Sequence, residues 1–188
     1  MEYGFIFDYD GILINSMEIH YKANAIVLDD IGVPMDKEKY YSQAGMTGVE
    51  QIKTFCDAVG VSADYEALYS RKKEIFGTML HEVTKIERNF EFYNTLIENG
   101  VKVAIATGCS RETLENTAEF LDIYIPVSVC GGEVDKGKPS PDLFLEAARL
   151  LDLEPSKCTV IEDSDAGFEA AAAAGMACLR FFDRVQKG

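Results

Sequence analysis

The chain has 188 residues, 47% of them hydrophobic, and a formal net charge of −14. That size and apolar content predict one well-buried core with room for an inserted subdomain, and exclude an extended disordered chain. No apolar run approaches the roughly 18 residues of a membrane span, and the acidic balance offers no basic face for phosphodiester backbones, so neither a membrane nor a nucleic acid is expected as a partner.

The first residues carry the strongest signal. Gly4-Phe-Ile-Phe-Asp-Tyr-Asp-Gly11 begins as a short apolar run of buried parallel-strand type and stops on two carboxylates and a glycine. Desolvating Asp8 and Asp10 side by side is unfavourable unless a divalent cation balances them. Gly11 lets the chain turn away at that point.

From Ser16 onward the periodicity is helical, with Gly32 and Pro34 ending the first helix. A short helix over 36–43 follows, then the loop Gly45-Met46-Thr47-Gly48, with Thr47 as N-cap of a helix over 49–59. A long helical pattern runs over 64–83. Residues 15–85 thus contain helices and no convincing strand.

The character then changes. A helix over 90–98 is closed by Asn99-Gly100, and Val101 to Ala106 is a strand ending at Thr107-Gly108-Cys109-Ser110. A helix capped by Ser110 runs over 111–121, a strand over 123–130, and a loop over 131–139. Pro141 starts the next helix. Cys158 to Ile161 is a strand ending on Glu162-Asp163-Ser164-Asp165. The alanine-rich helix 166–174, read as a close-packing helix, and a strand over 176–182 complete the chain.

Strand–helix alternation after residue 86 implies a parallel sheet with right-handed crossovers. The expected fold class is therefore α/β, a Rossmann-like parallel-sheet core formed by 1–14 and 86–188, with a helical cap, 15–85, inserted after the first strand. Ligands of such sheets sit beyond the carboxyl ends of the strands, where Asp8 and Asp10 lie and where an insertion could act as a lid.

Four motifs stand in order: Asp-x-Asp-Gly at 8–11, Ala-Thr-Gly at 106–108, Gly-Lys-Pro-x-Pro-Asp at 137–142, and Glu-Asp-Ser at 162–164. Together they resemble the haloacid dehalogenase (HAD) superfamily, in the branch with a small helical cap that includes β-phosphoglucomutase and phosphoglycolate phosphatase. The resemblance covers nearly the whole chain.

It implies a magnesium-dependent phosphatase acting on a small phosphorylated metabolite. Asp8 is then the nucleophile that forms an aspartyl phosphate, and Asp10 the acid and base. Mg2+ is held by Asp8, the Asp10 carbonyl oxygen and Asp163. Thr107 and Gly108 bind the phosphoryl oxygens, with backbone N–H groups of Tyr9 and Cys109 beside them. Lys138, preferred over Lys136, neutralises Asp8. Glu162 stands behind the metal ligands or serves as an alternative ligand. His20 is a candidate substrate contact. Lys72 is another, although a solvated helix face suits it better.

Three departures bear on the substrate rather than the chemistry. Asn15 stands where many relatives have Asp, the 45–48 loop lacks a nearby arginine, and Pro-Gly is absent around Arg88-Asn89. A sugar-phosphate mutase is the alternative within the enzyme class, and a non-catalytic interaction protein is the alternative outside it.

Two rival motifs fail on chemistry. Gly132-x4-Gly137-Lys138 approximates a phosphate-binding loop, but Pro139 replaces the Ser/Thr that would bind magnesium. Cys109 lacks the arginine six residues on that a cysteine phosphatase needs, since Glu115 stands there. The five widely spaced cysteines and the absence of a basic-then-apolar N-terminus predict a cytoplasmic protein with reduced thiols and no signal peptide. A monomer or small homo-oligomer is expected.

Overall fold

A computed structural model describes residues 2–181. Its main sheet has five parallel strands in the order β5-β4-β1-β6-β7: β1 Gly4–Phe7, β4 Lys102–Ala106, β5 Ser128–Val129, β6 Cys158–Glu162 and β7 Ala177–Arg180. β1 lies at the centre, pairing with β4 on one side (Phe7 opposite Ile105) and β6 on the other (Phe7 opposite Ile161).

Alternation along the strands loads both faces of this sheet. Phe7, Val103 and Ile105 pack with Tyr93 and Leu114 from α5 (Glu87–Glu98) and α6 (Arg111–Leu121). Ile6, Ala104 and Ala106 pack instead with Phe144 and Ala147 of α7 (Asp142–Leu150), and with Ala170 and Ala171 of α8 (Asp165–Ala173). The alanine tract is therefore a packing surface, as its composition predicts.

Between β1 and α5 lie α1 (Met17–Asp29), α2 (Lys37–Ser42), α3 (Gly48–Ala58) and α4 (Tyr65–Thr78). Thr47 caps α3 in a reciprocal capping box with Glu50. Leu28, Val33, Tyr40, Ile52, Phe55 and Cys56 form an apolar cluster of their own. The base of this helical layer is continuous with the sheet core, because Ile19, Ala23 and Phe76 join the cluster around Phe7.

Several expectations need correction. The segment 15–85 does contain strand: β2 (Ile14–Asn15) pairs antiparallel with β3 (Thr84–Lys85) where the chain leaves and re-enters the core. Two residues per strand are too few to leave a periodicity. The strand expected over 123–130 shrinks to Ser128–Val129. Pro126 cannot donate a ladder bond, and β5 pairs only with β4, at Ile105 and Ala106.

The long helix expected over 64–83 ends at Thr78, and a single 3-10 turn covers Leu80–Glu82. α5 begins three residues earlier than expected, at Glu87. Pro141 occupies the N-cap position and not the first helical one. Of the last expected strand, Phe182 lies outside the described residues. Among the described residues no helix is long and apolar enough to cross a membrane.

Candidate active site

Topology alone brings the motifs together. Asp8 and Asp10 follow β1, Thr107 follows β4, and Glu162 ends β6 with Asp163 next to it. β1, β4 and β6 are adjacent and parallel, so these residues share one sheet rim, with the helical layer above. The pocket there is small, about 60 Å3. Asp8, Asp10, Thr107, Gly108, Cys109 and Asp163 line it from below, and Met17, His20, Tyr40, Gln51, Tyr69 and Lys72 are among those lining it from above.

Lys138 crosses under this rim. It is 1% exposed, and its Nζ donates to Asp8 Oδ1 at 2.7 Å and to Glu162 Oε1 at 2.8 Å. The other Glu162 oxygen accepts from the backbone N–H and the hydroxyl of Ser164. Glu162 fits beneath α8 only because position 167 is glycine, since a Cβ there would lie 1.7 Å from its Oε1. Lys136, by contrast, is exposed.

Burial pushes the Asp8 carboxyl well above the ordinary carboxylate range, with Glu162 and Asp163 adding to the rise and Lys138 opposing it. Burial also works against the Lys138 ammonium, yet Asp8 and Glu162 more than offset it and hold Lys138 above its usual value. These two directions conflict, because a neutral Asp8 would not hold Lys138 up. An ion pair resolves the conflict: the ammonium sits within 2.8 Å of two carboxylates, and Glu162 accepts two further bonds.

Oxygens of Asp8, Glu162 and Asp163 lie within 4.8 Å of one another. An all-oxygen, anionic set of this size suits a hard divalent cation such as Mg2+. Without one the acids repel, and burial followed by Glu162 pushes the Asp163 carboxyl up to about 7. Gly11, at φ +90°, permits the close approach, since a Cβ there would meet Asp163 Oδ2 at 2.6 Å.

Asp10 belongs to a second chain of contacts. Its Oδ1 accepts from Ser16 Oγ at 2.5 Å and lies 3.1 Å from His20 Nε2, while Lys72 Nζ is 2.7 Å from His20 Nδ1. Burial alone would raise the Asp10 carboxyl, but His20, Ser16 and Lys72 hold it below its ordinary value. His20 is itself pushed below its ordinary value by burial and then by Lys72. Burial and Lys72 favour a neutral ring: the Lys72 ammonium donates to Nδ1 and Nε2–H donates to Asp10, so the hydrogen bonds from His20 and Ser16, with the Lys72 charge behind them, keep Asp10 ionised. Burial lowers Lys72 to about 8.

The solvated-face reading of Lys72 is therefore wrong. Lys72 is 6% exposed and His20 equally so. Both line the pocket, with His20 bonded to Asp10 and Lys72 bonded to His20. Thr107 Oγ1 lies 3.4 Å from Asp10 Oδ2 and accepts from the Cys109 N–H, so that N–H already has a partner. Burial drives the Cys109 thiol well above its ordinary range, which keeps it protonated and inert.

Ser16 went unnoticed in the sequence. It stands at the N-cap of α1 yet makes no cap bond with its side chain, which turns to Asp10 instead. Tyr69, Gln51 and Tyr40 carried no signal beyond helical periodicity.

The profile of the haloacid dehalogenase-like hydrolase family matches residues 5–181. The chain belongs to that family. Among its HAD relatives, a phosphorylated carbohydrates phosphatase of Thermotoga maritima is 30% identical over 177 residues, covering 91% of this chain and 81% of the relative. A β-phosphoglucomutase of Bacillus subtilis is 27% identical over 91% of this chain and 79% of its own length. The crystal structure of a Pseudomonas syringae hydrolase superposes with a TM-score of 0.88 at 26% identity, covering 98% of this chain and 89% of that one.

Proposed function

We propose that this HAD enzyme is a magnesium-dependent phosphatase that hydrolyses small phosphorylated metabolites, sugar phosphates among them, through a phosphorylated Asp8. The observation that carries the reading is the convergence of Asp8, Lys138 and Asp163 beneath a pocket that Asp10 also lines. The Thermotoga phosphatase supports the substrate class.

Asp8 attacks phosphorus in line, and the bond to the leaving alkoxide oxygen breaks as the Asp8–phosphorus bond forms. Asp10 gives its proton to that oxygen. It then accepts one from the water that attacks phosphorus and releases Asp8. Hydrogen-bonded by Ser16 and His20, the resting Asp10 is ionised, so it takes up a proton from solvent as the phosphate dianion arrives beside it. His20 and Lys72 orient its carboxylate meanwhile.

Lys138 balances the Asp8 charge and then the equatorial oxygens, which Thr107 and the Gly108 backbone also hold. Asp8, Asp163 and the Asp10 carbonyl would hold Mg2+, which supplies charge neutralisation at the phosphoryl oxygens.

Residues 15–85 act as a cap on a core of 1–14 and 86–188, turning at the β2–β3 ladder. The cap loop already meets the core closely, since a Cβ at Gly45 would lie 3.1 Å from Ser164 Oγ. A second reading, a sugar-phosphate mutase, draws on the Bacillus relative. The 45–48 loop lacks the arginine expected there for a second phosphate, which favours hydrolysis.

The test is phosphate release from p-nitrophenyl phosphate with Mg2+. Asp8→Asn or EDTA should abolish it, and activity surviving both would remove Asp8 from the nucleophile role. A mutase would interconvert sugar phosphates without net release of phosphate.

A further inference from the structure

Phe76 lies outside the pocket yet touches the group that holds Asp10. Its ring stacks on the His20 imidazole, with centroids 4.2 Å apart and planes 12° from parallel. Both side chains are buried, Phe76 at 3% exposure. They come from different helices, α4 and α1, which pack closely on each other. Phe76 does not line the substrate pocket.

The two hydrogen bonds of His20 lie in the plane of its ring: Nε2 toward Asp10 at 3.1 Å and Nδ1 toward Lys72 at 2.7 Å. Rotation about the Cβ–Cγ bond by a few tens of degrees would misalign both, because hydrogen bonds weaken steeply away from linearity. The rotation of an imidazole about that bond is intrinsically broad, so a flat neighbour is what fixes it. Lys72 is one helical turn before Phe76, and its Nζ lies 5.4 Å from the same ring and 5.7 Å from Tyr69. One aromatic face therefore braces the imidazole and flanks the ammonium that bonds it.

We infer that Phe76 is a positioning residue for the proposed reaction: it holds the His20 ring in the plane that presents Nε2–H to Asp10 and Nδ1 to Lys72. This rests on the acid–base role of Asp10 given above. A branched or flexible side chain can fill the volume but offers no flat face. Replacement should therefore disorder the His20 contacts without emptying the core.

The test compares Phe76→Leu, Phe76→Met and Phe76→Tyr with the full-length wild type. Imidazole 15N shifts of His20 in the unliganded protein should show one protonated Nε2 and one acceptor Nδ1. Phe76→Tyr should retain that pattern, and Phe76→Leu and Phe76→Met should lose it. With p-nitrophenyl phosphate and Mg2+, kcat should fall on the order of tenfold in Leu and Met at a KM within about threefold, and be largely kept in Tyr.

A wild-type 15N pattern and kcat in folded Phe76→Leu or Phe76→Met would overturn the inference. So would a loss in Phe76→Tyr as large as in Leu. Absence of phosphatase activity from the wild type would overturn the functional reading, and the 15N shifts would still decide whether Phe76 sets the ring.

Discussion

Lys138 Nζ lies 2.7 Å from Asp8 Oδ1, and the lysine side chain is wholly shielded from solvent. Its second partner, Glu162, is equally shielded. Removing the cation leaves two buried carboxylates unbalanced, which typically costs about 3–5 kcal/mol. Lys138→Met should therefore lower Tm sharply and depress phosphatase activity by about 10²–10³. Thermal unfolding followed beside the activity assay checks both. A stable, active Lys138→Met would detach this lysine from the site.

Asp163 links metal and pH. Its folded-state value of about 7 is above the ordinary 3.8, so a proton favours the folded metal-free protein. That contribution is complete below about pH 4 and is lost as pH rises through 7. If Asp163 is a metal ligand as proposed, Mg2+ competes with the same proton. Its stabilisation should be slight at pH 5 and grow to a Tm increase of several degrees near pH 8, read by thermal unfolding with and without the ion. Asp163→Asn should flatten the trend. An equal shift at both pH values would contradict the assignment.

Lys72 predicts the alkaline limb. Burial lowers its ammonium to about 8, so it loses its proton, and its hold on His20, as pH rises through that value. kcat should decline above about pH 8, and Lys72→Met should be slower at neutral pH and lack this limb. A pH–rate profile in which both proteins share the limb would assign it to another group.

Gly108 faces the cap loop backbone. A Cβ there would lie 2.9 Å from the Met46 carbonyl oxygen and 3.0 Å from that of Gly45. Backbone cannot yield as a side-chain tip can, so Gly108→Ala should push the loop back and raise KM severalfold while Tm changes little. An unchanged KM would show that the loop does not close over the substrate.

The sheet was legible because buried parallel strands read as apolar runs ended by polar groups, and Asp8, Thr107 and Asp163 mark three of those ends. Lys138 and Asp8 are 130 positions apart, so only the order of motifs, and no local pattern, joins them. The Asp10–His20–Lys72 contacts were missed for another reason. A lysine on a helix is ordinarily solvated, yet Lys72 stands at helical spacing from Leu68, Tyr69 and Phe76, so the apolar stripe of α4 carried the signal that this lysine faces inward. β2 and β3 were too short to see, and Pro126 cut β5 down. Ser16 marked only the start of a helical pattern, and its hydroxyl serves Asp10.

The most direct test of the account is acid quench during turnover of a 32P-labelled sugar phosphate with Mg2+. The protein should carry hydroxylamine-labile phosphate that maps to Asp8, and none should be found in Asp8→Asn. Turnover at full rate by Asp8→Asn, or by wild type with no phosphate on the protein at any quench time, would contradict it.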